Sequence, residues 1–222
     1  ATKLAELIAD RDKEYLARLR LGVTTDTQDM TGTILAQAEE GMVEKLVTED
    51  RLRETAQQFT GEIDQIPPMY SAVWSNGRRL YELAREGIEV ERKPRRITIS
   101  ELEIVETKLP FVTLRVVCSK GTYIRTLCED LGNALGVGGA MEHLLRTRVG
   151  IFDLEDALTL GEVQQMMDSD PGQLNRHTLV RRIRVYDEEG TFYALYRYVP
   201  GRKRALPVKM FHDTDSREND RK

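Results

Sequence analysis

The chain has 222 residues, 33 of them basic and 37 acidic, for a formal net charge of −4; 40% are hydrophobic and 32% charged. That length sets one or two domains with enough apolar residues for a packed core. The charge balance argues against a protein that grips nucleic acid over its whole surface, no apolar run is long enough for a membrane-spanning helix, and two cysteines make neither a disulfide framework nor a zinc spacing.

In chain order, Lys3 and Glu6 break up the apolar start, so no secretory signal is expected. Lys13 to Leu21 alternates, with Tyr15, Ala17, Leu19 and Leu21 on one face and Arg18 and Arg20 on the other, which predicts a strand. Gly22 to Gly32 is polar and turn-rich, a predicted loop, and Thr33 to Ala38 a short strand. Thr48 is a suitable N-cap for a helix carrying Leu52, Ala56 and Phe59 and ended by Gly61. Pro67-Pro68 blocks regular structure, and Arg79 to Arg85 reads as a short helix stopped at Gly87. Arg96 to Val105 and Phe111 to Cys118 read as strands, the second with clean alternation at Val112, Leu114, Val116 and Cys118. After Gly121 a helix buries Ile124, Leu127, Cys128, Leu131 and Leu135, with Gly136 as its C-cap. Ala140 to Leu145 is read as a further helix, Val149 to Phe152 as a strand, and Thr159 to Met167 as a last helix. Asp168 to Gly172 has linker composition; Leu179 to Tyr186 and Thr191 to Val199 form a hairpin pattern around Glu189-Gly190, Pro207 to Phe211 adds a strand, and residues 213–222 are charged and expected to be disordered.

The most informative stretch is Cys118 to Gly132. A strand ends at Lys120-Gly121, and a helix opens with Tyr123 and Arg125 in its first turn. An aromatic ring and a fixed positive charge are thereby aimed at one point beside a strand end, which suits an anion next to a flat substrate. Cys118 and Cys128 fall on apolar faces of that strand and helix and are expected to be reduced core thiols of a cytosolic protein. Local basic clusters stand at Arg78-Arg79, Arg92-Lys93 with Arg95-Arg96, Arg181-Arg182 with Arg184, and Arg202-Lys203-Arg204. Each is open to two readings, an RNA-facing patch or a solvated loop.

Four blocks, in order, resemble motifs of the tRNA pseudouridine synthase B (TruB) family. They are Ala1-Thr2-Lys3-Leu4; Lys13-Glu14-Tyr15; Pro67-Pro68-Met69-Tyr70-Ser71-Ala72 followed by Gly77-Arg78-Arg79-Leu80-Tyr81-Glu82-Leu83-Ala84-Arg85-Glu86-Gly87; and Lys120-Gly121-Thr122-Tyr123-Ile124-Arg125 with Asp130-Leu131-Gly132. The family's nucleophilic aspartate lies in a motif of the form G-H-T-G-x-L-D-P-x-A-x-G that should lie just before Ala1, and the 222 residues do not contain it. Asp10, Asp12, Asp26 and Asp29 stand in no such context and are expected to be surface or turn acids. The chain thus resembles a synthase without its N-terminal segment.

The resemblance implies an α+β fold: a mixed, mainly antiparallel sheet of the pseudouridine-synthase type with flanking helices over residues 1–168, a linker at 169–178, and a small, incomplete PUA-like β module at 179–212. It implies isomerisation of the T-loop uridine 55 of tRNA to pseudouridine by base flipping, with the T-arm as partner, no membrane, no cofactor and no metal, in a cytoplasmic monomer. Tyr15 is the implied base platform and proton-transfer group, and Arg125 the ion-pair partner of the absent aspartate. Tyr123, Leu144, Lys120, Arg146, Tyr70 and Arg78 are the implied substrate-binding residues. Where many members of the family carry a lysine this chain has Trp74, which suits stacking on a base. The 222 residues by themselves are expected to be inactive. Two other classes stand beside this one: a non-catalytic tRNA-binding or folding protein that keeps the groove without the nucleophile, and an unrelated small-molecule enzyme, against which the basic clusters and four blocks speak.

Overall fold

The computed structural model describes residues 11–157 and 159–169 and the three strands 182–186, 192–199 and 204–210. Two compact units divide between Ala157 and Leu158.

The first unit is built on a six-stranded sheet of order β10-β9-β1-β8-β7-β4, where β1 is Lys13–Leu21, β4 Gly61–Gln65, β7 Arg95–Lys108, β8 Phe111–Cys118, β9 Gly139–Val149 and β10 Phe152–Asp153. All its ladders are antiparallel. Two small hairpins accompany it, β2 (Val23–Thr25) with β3 (Ile34–Gln37) and β5 (Trp74–Ser75) with β6 (Arg78–Arg79). Helices α1 (Met42–Leu46), α2 (Glu49–Gln58), α3 (Leu80–Arg85) and α4 (Ile124–Ala134) complete the unit. The α+β architecture with a mainly antiparallel sheet therefore stands as expected.

The β1 alternation resolves as predicted: Tyr15, Ala17, Leu19 and Leu21 are buried, while Arg18 is exposed. That face packs with Val112, Leu114 and Val116 of β8 against Ile124, Leu127, Cys128, Leu131 and Leu135 of α4 and its C-cap. Fully burying one such leucine contributes roughly 1.5–3 kcal/mol. Both cysteines are free and buried, and burial pushes both thiols up, that of Cys128 to about 12, which disfavours the reactive thiolate. Thr48 caps α2 by accepting from the Arg51 amide at 3.2 Å. At the other end of α4, a Cβ on Gly132 would lie 2.3 Å from the Gly138 carbonyl carbon, so only glycine lets this helix lie directly on the start of β9.

The structure corrects the chain reading in one important place. Ala140 to Leu145 is no helix but the first half of β9, which continues to Val149. Its Ala, Met, Glu and Leu residues favour helix locally. Residues 142–146 are exposed on both faces, which removes the alternation that marks a strand. The free edge of β1 supplies the backbone partners that override that propensity. Gly61 does not merely stop α2; it opens edge strand β4, where Arg96 of β7 reaches Asp64 at 2.8 Å and Glu62 at 3.5 Å across the pair. The predicted loop at 22–32 contains β2.

In the second unit, α5 (Leu160–Ser169) is N-capped by Thr159, which accepts from the Glu162 amide at 3.2 Å while Glu162 accepts from the Thr159 amide at 2.7 Å. It takes in Asp168 and Ser169, the first residues of the stretch read as having linker composition. The strands β11 (Arg182–Tyr186), β12 (Phe192–Val199) and β13 (Arg204–Met210) form an antiparallel three-stranded sheet. The Glu189-Gly190 turn and residues 213–222 lie outside the described residues.

Candidate active site

Arg125 stands in the first turn of α4, directly after the Lys120-Gly121 turn, as the sequence required. Its Nη1 pairs with Oδ2 of Asp29 at 3.0 Å. Asp29, expected to be a surface or turn acid, does lie in the turn-rich loop but is not at the surface: it is 8% exposed, whereas Asp12 and Asp26 are exposed; Asp10 lies outside the described residues. The other carboxylate oxygen of Asp29 accepts from Thr27 Oγ1 at 3.0 Å, Thr31 Oγ1 at 2.5 Å and the Thr31 amide at 3.1 Å. Burial alone would push this carboxyl up; the Thr31 and Thr27 hydrogen bonds and the Arg125 charge outweigh it, and the acid is held below its ordinary value. A buried carboxylate so fully satisfied is a fixed anion that orients the arginine. The sequence signal was the hydroxyl at two residues on either side, Thr27-x-Asp29-x-Thr31.

On the sheet, the β1–β9 register sets Tyr15 opposite Arg146 and Ala17 opposite Leu144, all on one face. The Arg146 guanidinium lies over the Tyr15 ring, 5.4 Å from its centroid. Tyr15 is 7% exposed; burial pushes its phenol up, and the hydrogen bond and charge of Arg146 work against that. Leu144 is 37% exposed, which excludes it from the core. Strands β1 and β9 both pack against α4, the helix that carries Arg125.

Tyr123 is the N-cap of α4. Its backbone is held at both polar atoms by Gln65: the Tyr123 amide donates to Gln65 Oε1 at 2.8 Å and its carbonyl accepts from Gln65 Nε2 at 3.1 Å. Gln65 is 2% exposed and ends β4, just before Pro67. It was not predicted, and nothing in its sequence context marks it. Lys120 is exposed at the turn.

Tyr70 and Arg78 lie in the segment between β4 and β7. Arg78 is engaged by both carboxylate oxygens of Glu86 at 2.9 and 2.6 Å. The β5–β6 hairpin turns at Asn76-Gly77, both left-handed, and this Asn-Gly pair is the signal from which the hairpin is legible. Its Trp74 is 60% exposed, with the Arg79 guanidinium 4.1 Å from the ring centroid. Among the described residues, no group of three or more His, Cys, Asp and Glu side chains gathers to hold a metal ion, and no helix is long and apolar enough to cross a membrane.

Comparison with known proteins follows the same outline. Residues 1–124 match the profile of the TruB family pseudouridylate synthase N-terminal domain, and residues 125–187 that of the tRNA pseudouridylate synthase B C-terminal domain. The tRNA pseudouridine synthase B of Clostridium kluyveri is 50% identical over 160 residues, covering 72% of this chain and 54% of that protein. That of Heliobacterium modesticaldum is 52% identical over 163 residues, covering 72% and 52%. The chain thus spans about half the length of these relatives. A chain in the crystal structure of a Cbf5-Nop10-Gar1 complex has the same fold, with a TM-score of 0.56 at 21% identity over 90% of this chain and 63% of its own. Two consecutive profiles and half-identical relatives over nearly three quarters of the sequence establish the kinship: the chain belongs to the TruB family of pseudouridylate synthases.

Proposed function

We propose that this chain is the larger part of the catalytic domain of a tRNA pseudouridine synthase acting on the T-loop uridine 55. The observation that carries the reading is the Asp29–Arg125 ion pair at the first turn of α4, with Tyr15 on the strand face that packs against the same helix. The reaction breaks the bond from ribose C1′ to N1 of the uracil and rejoins C1′ to C5; C5 loses a proton and N1 gains one, so there is no redox change and no cofactor is needed. A uracil inside an RNA fold must first leave its stack at a cost of a few kcal/mol. An aromatic platform offsets about 1–3 kcal/mol of that. Tyr15 is proposed as that platform, with Arg146 displaced from its ring by the incoming base, and as the group that moves the C5 proton.

Arg125 has five N–H donors, of which Nη1 is engaged by Asp29. The rest of the fork is proposed to hold the family's nucleophilic aspartate ionised and aimed at C1′. Tyr123 and Leu144 line the base, and Lys120, Arg146, Tyr70 and Arg78 face RNA, Arg78 after exchanging Glu86 for phosphate. Trp74 offers its exposed ring to a nucleotide base. The β11–β13 sheet is proposed as a PUA-like module that helps hold the tRNA. The proposed protein is a cytoplasmic monomer whose partner is the T-arm.

The test compares the 222 residues alone with the same chain completed by the N-terminal segment of a relative that carries the aspartate motif. Each is incubated with an unmodified tRNA transcript, and pseudouridine is mapped by chemical adduct. The expected result is that both bind and only the completed chain converts uridine. Conversion by the 222 residues alone would refute the need for that aspartate. Binding without conversion by the completed chain would favour a tRNA-folding protein instead.

A further inference from the structure

Gln28 has a φ of 63°, left-handed backbone that a residue with a Cβ adopts at a cost on the order of 1 kcal/mol or more. Its backbone is tied down at both polar atoms: the amide donates to the Thr25 carbonyl at 3.3 Å and the carbonyl accepts from the Met141 amide of β9 at 3.0 Å. In this posture the side chain reaches α4. Its Oε1 accepts from Thr126 Oγ1 at 2.7 Å, and its Nε2 donates to Glu129 Oε2. Thr126 and Glu129 follow Arg125 by one and four residues, so this amide grips the turn of helix that begins at the site arginine. Asp29 is the very next residue after Gln28.

The hydrogen bonds from Thr27 and Thr31 to Asp29 are all internal to the loop. Among the described hydrogen bonds and ion pairs, those that cross from the loop 26–32 to α4 are the Gln28 amide contacts and the Asp29–Arg125 pair itself. The residue type matters. An ionised carboxylate only accepts, and a threonine hydroxyl whose proton is to be used needs an acceptor. A primary amide at the end of two methylenes supplies one of each. A glutamate would repel Glu129, and an alanine or glycine would reach neither partner.

We propose that Gln28 is a positioning residue for the Asp29–Arg125 pair, fixing the distance between loop and helix at which the arginine meets its carboxylates. This rests on the catalytic reading above. It goes beyond that reading in assigning the alignment to a residue that touches neither substrate nor Arg125.

The test uses three variants: Gln28→Gly, which suits the left-handed backbone but lacks the amide; Gln28→Glu; and Gln28→Glu combined with Glu129→Gln, which exchanges the two ends of the contact. The 222-residue chain is read by thermal melting and by the ¹³C titration of the Asp29 carboxyl, the completed chain by single-turnover rate and tRNA affinity. Gln28→Gly is expected to melt close to wild type, because the lost contacts are offset by relief at φ 63°. Its Asp29 midpoint moves up toward the ordinary carboxylate range, and its rate falls about tenfold or more at nearly unchanged affinity, as misplacement of a positioned group requires. Gln28→Glu loses at least as much, and the exchanged pair regains most of the rate and the low midpoint. A Gln28→Gly variant with wild-type midpoint and wild-type rate would overturn the proposal. So would an exchanged pair no better than Gln28→Glu, which would make Gln28 simple packing. If the midpoints move as expected while the completed wild type leaves uridine unconverted, the positioning stands and the catalytic reading falls.

Discussion

Two regions of the first unit carry proposed RNA-facing residues and are held in opposite ways. Around α4 the polar groups are buried or half-buried and bonded to one another: Asp29 accepts from four donors, Gln65 holds both backbone atoms of Tyr123, and Gln28 bridges a hydroxyl and a carboxylate. In the segment 66–94 the fixtures lie at the surface: Arg78 on Glu86, Arg92 on Glu89, and Arg79 over an exposed Trp74. Buried hydrogen-bonded charges are expensive to disturb, while exposed pairs contribute about 0–1 kcal/mol and exchange partners readily. The first arrangement suits groups that must be in place before substrate arrives. The second suits groups that trade an internal carboxylate for a phosphate.

The sharpest way to break this contrast is at Arg125. In the completed chain, Arg125→Ala removes the cation proposed to hold the nucleophilic aspartate, so turnover should fall by about a hundredfold or more. Arg125→Lys should rescue little, because a lysine cannot form the planar fork. Single-turnover kinetics at saturating tRNA decide it, and a lysine variant near the wild-type rate would remove the ion-pair role. The same substitution should change tRNA affinity little, and that divergence is what separates the two regions.

The counterpart in the exposed segment is Trp74→Ala. Loss of one base stack is worth about 1–3 kcal/mol, so affinity should weaken roughly five- to hundredfold while the rate at saturation holds. As Trp74 is the chain's single tryptophan, its fluorescence should quench on binding a T-arm hairpin. An unquenched ring with unchanged affinity would return Trp74 to a packing partner of Arg79.

The smallest expected effect refines the picture of α4 itself. Burial, aided by the Glu129 charge, pushes Asp130 up to about 6. The folded state therefore keeps a proton that the unfolded chain releases from about pH 4 upward. Stability from this group falls as pH rises through that window and stays low above about pH 6. The Asp29 carboxyl has the opposite sign, its contribution being lost as pH falls. Asp130→Asn should raise the melting temperature by a few degrees at pH 7.5 and much less at pH 4.5. Equal gains at both values would refute the assignment.

How much of this was legible in the chain follows from what each residue's neighbours are. The placement of Tyr15, Arg125 and the α4 core could be read because alternation, a turn and a helical stripe are local patterns; the roles proposed for the two side chains come from the family motifs. Strand β9 could not, since its stretch 142–146 is exposed on both faces and is held extended by β1, more than 100 residues away in sequence. Asp29 looked like an ordinary turn acid because the partner that makes it special lies in α4. Gln28 and Gln65 carry no sequence mark at all: an amide acquires its meaning only from the donor and acceptor that the fold puts at its two ends.

The β1–β9 ladder changes register at Glu14/Tyr15 and again at Arg18/Leu19, and is regular between them. Thr147 and Glu142 are the extra residues at those two points. This makes the strand a ruler with slack at both ends and none in the middle. Loss of one residue at either bulge removes an irregularity and leaves Tyr15 facing Arg146. Loss of one residue from Leu144 to Arg146 would turn half of the strand over, sending either leucine or arginine to the far side of the sheet. Length variation within this ladder is therefore confined by geometry to two positions, and the stretch that forms the site's wall has a fixed count of residues whatever their identity.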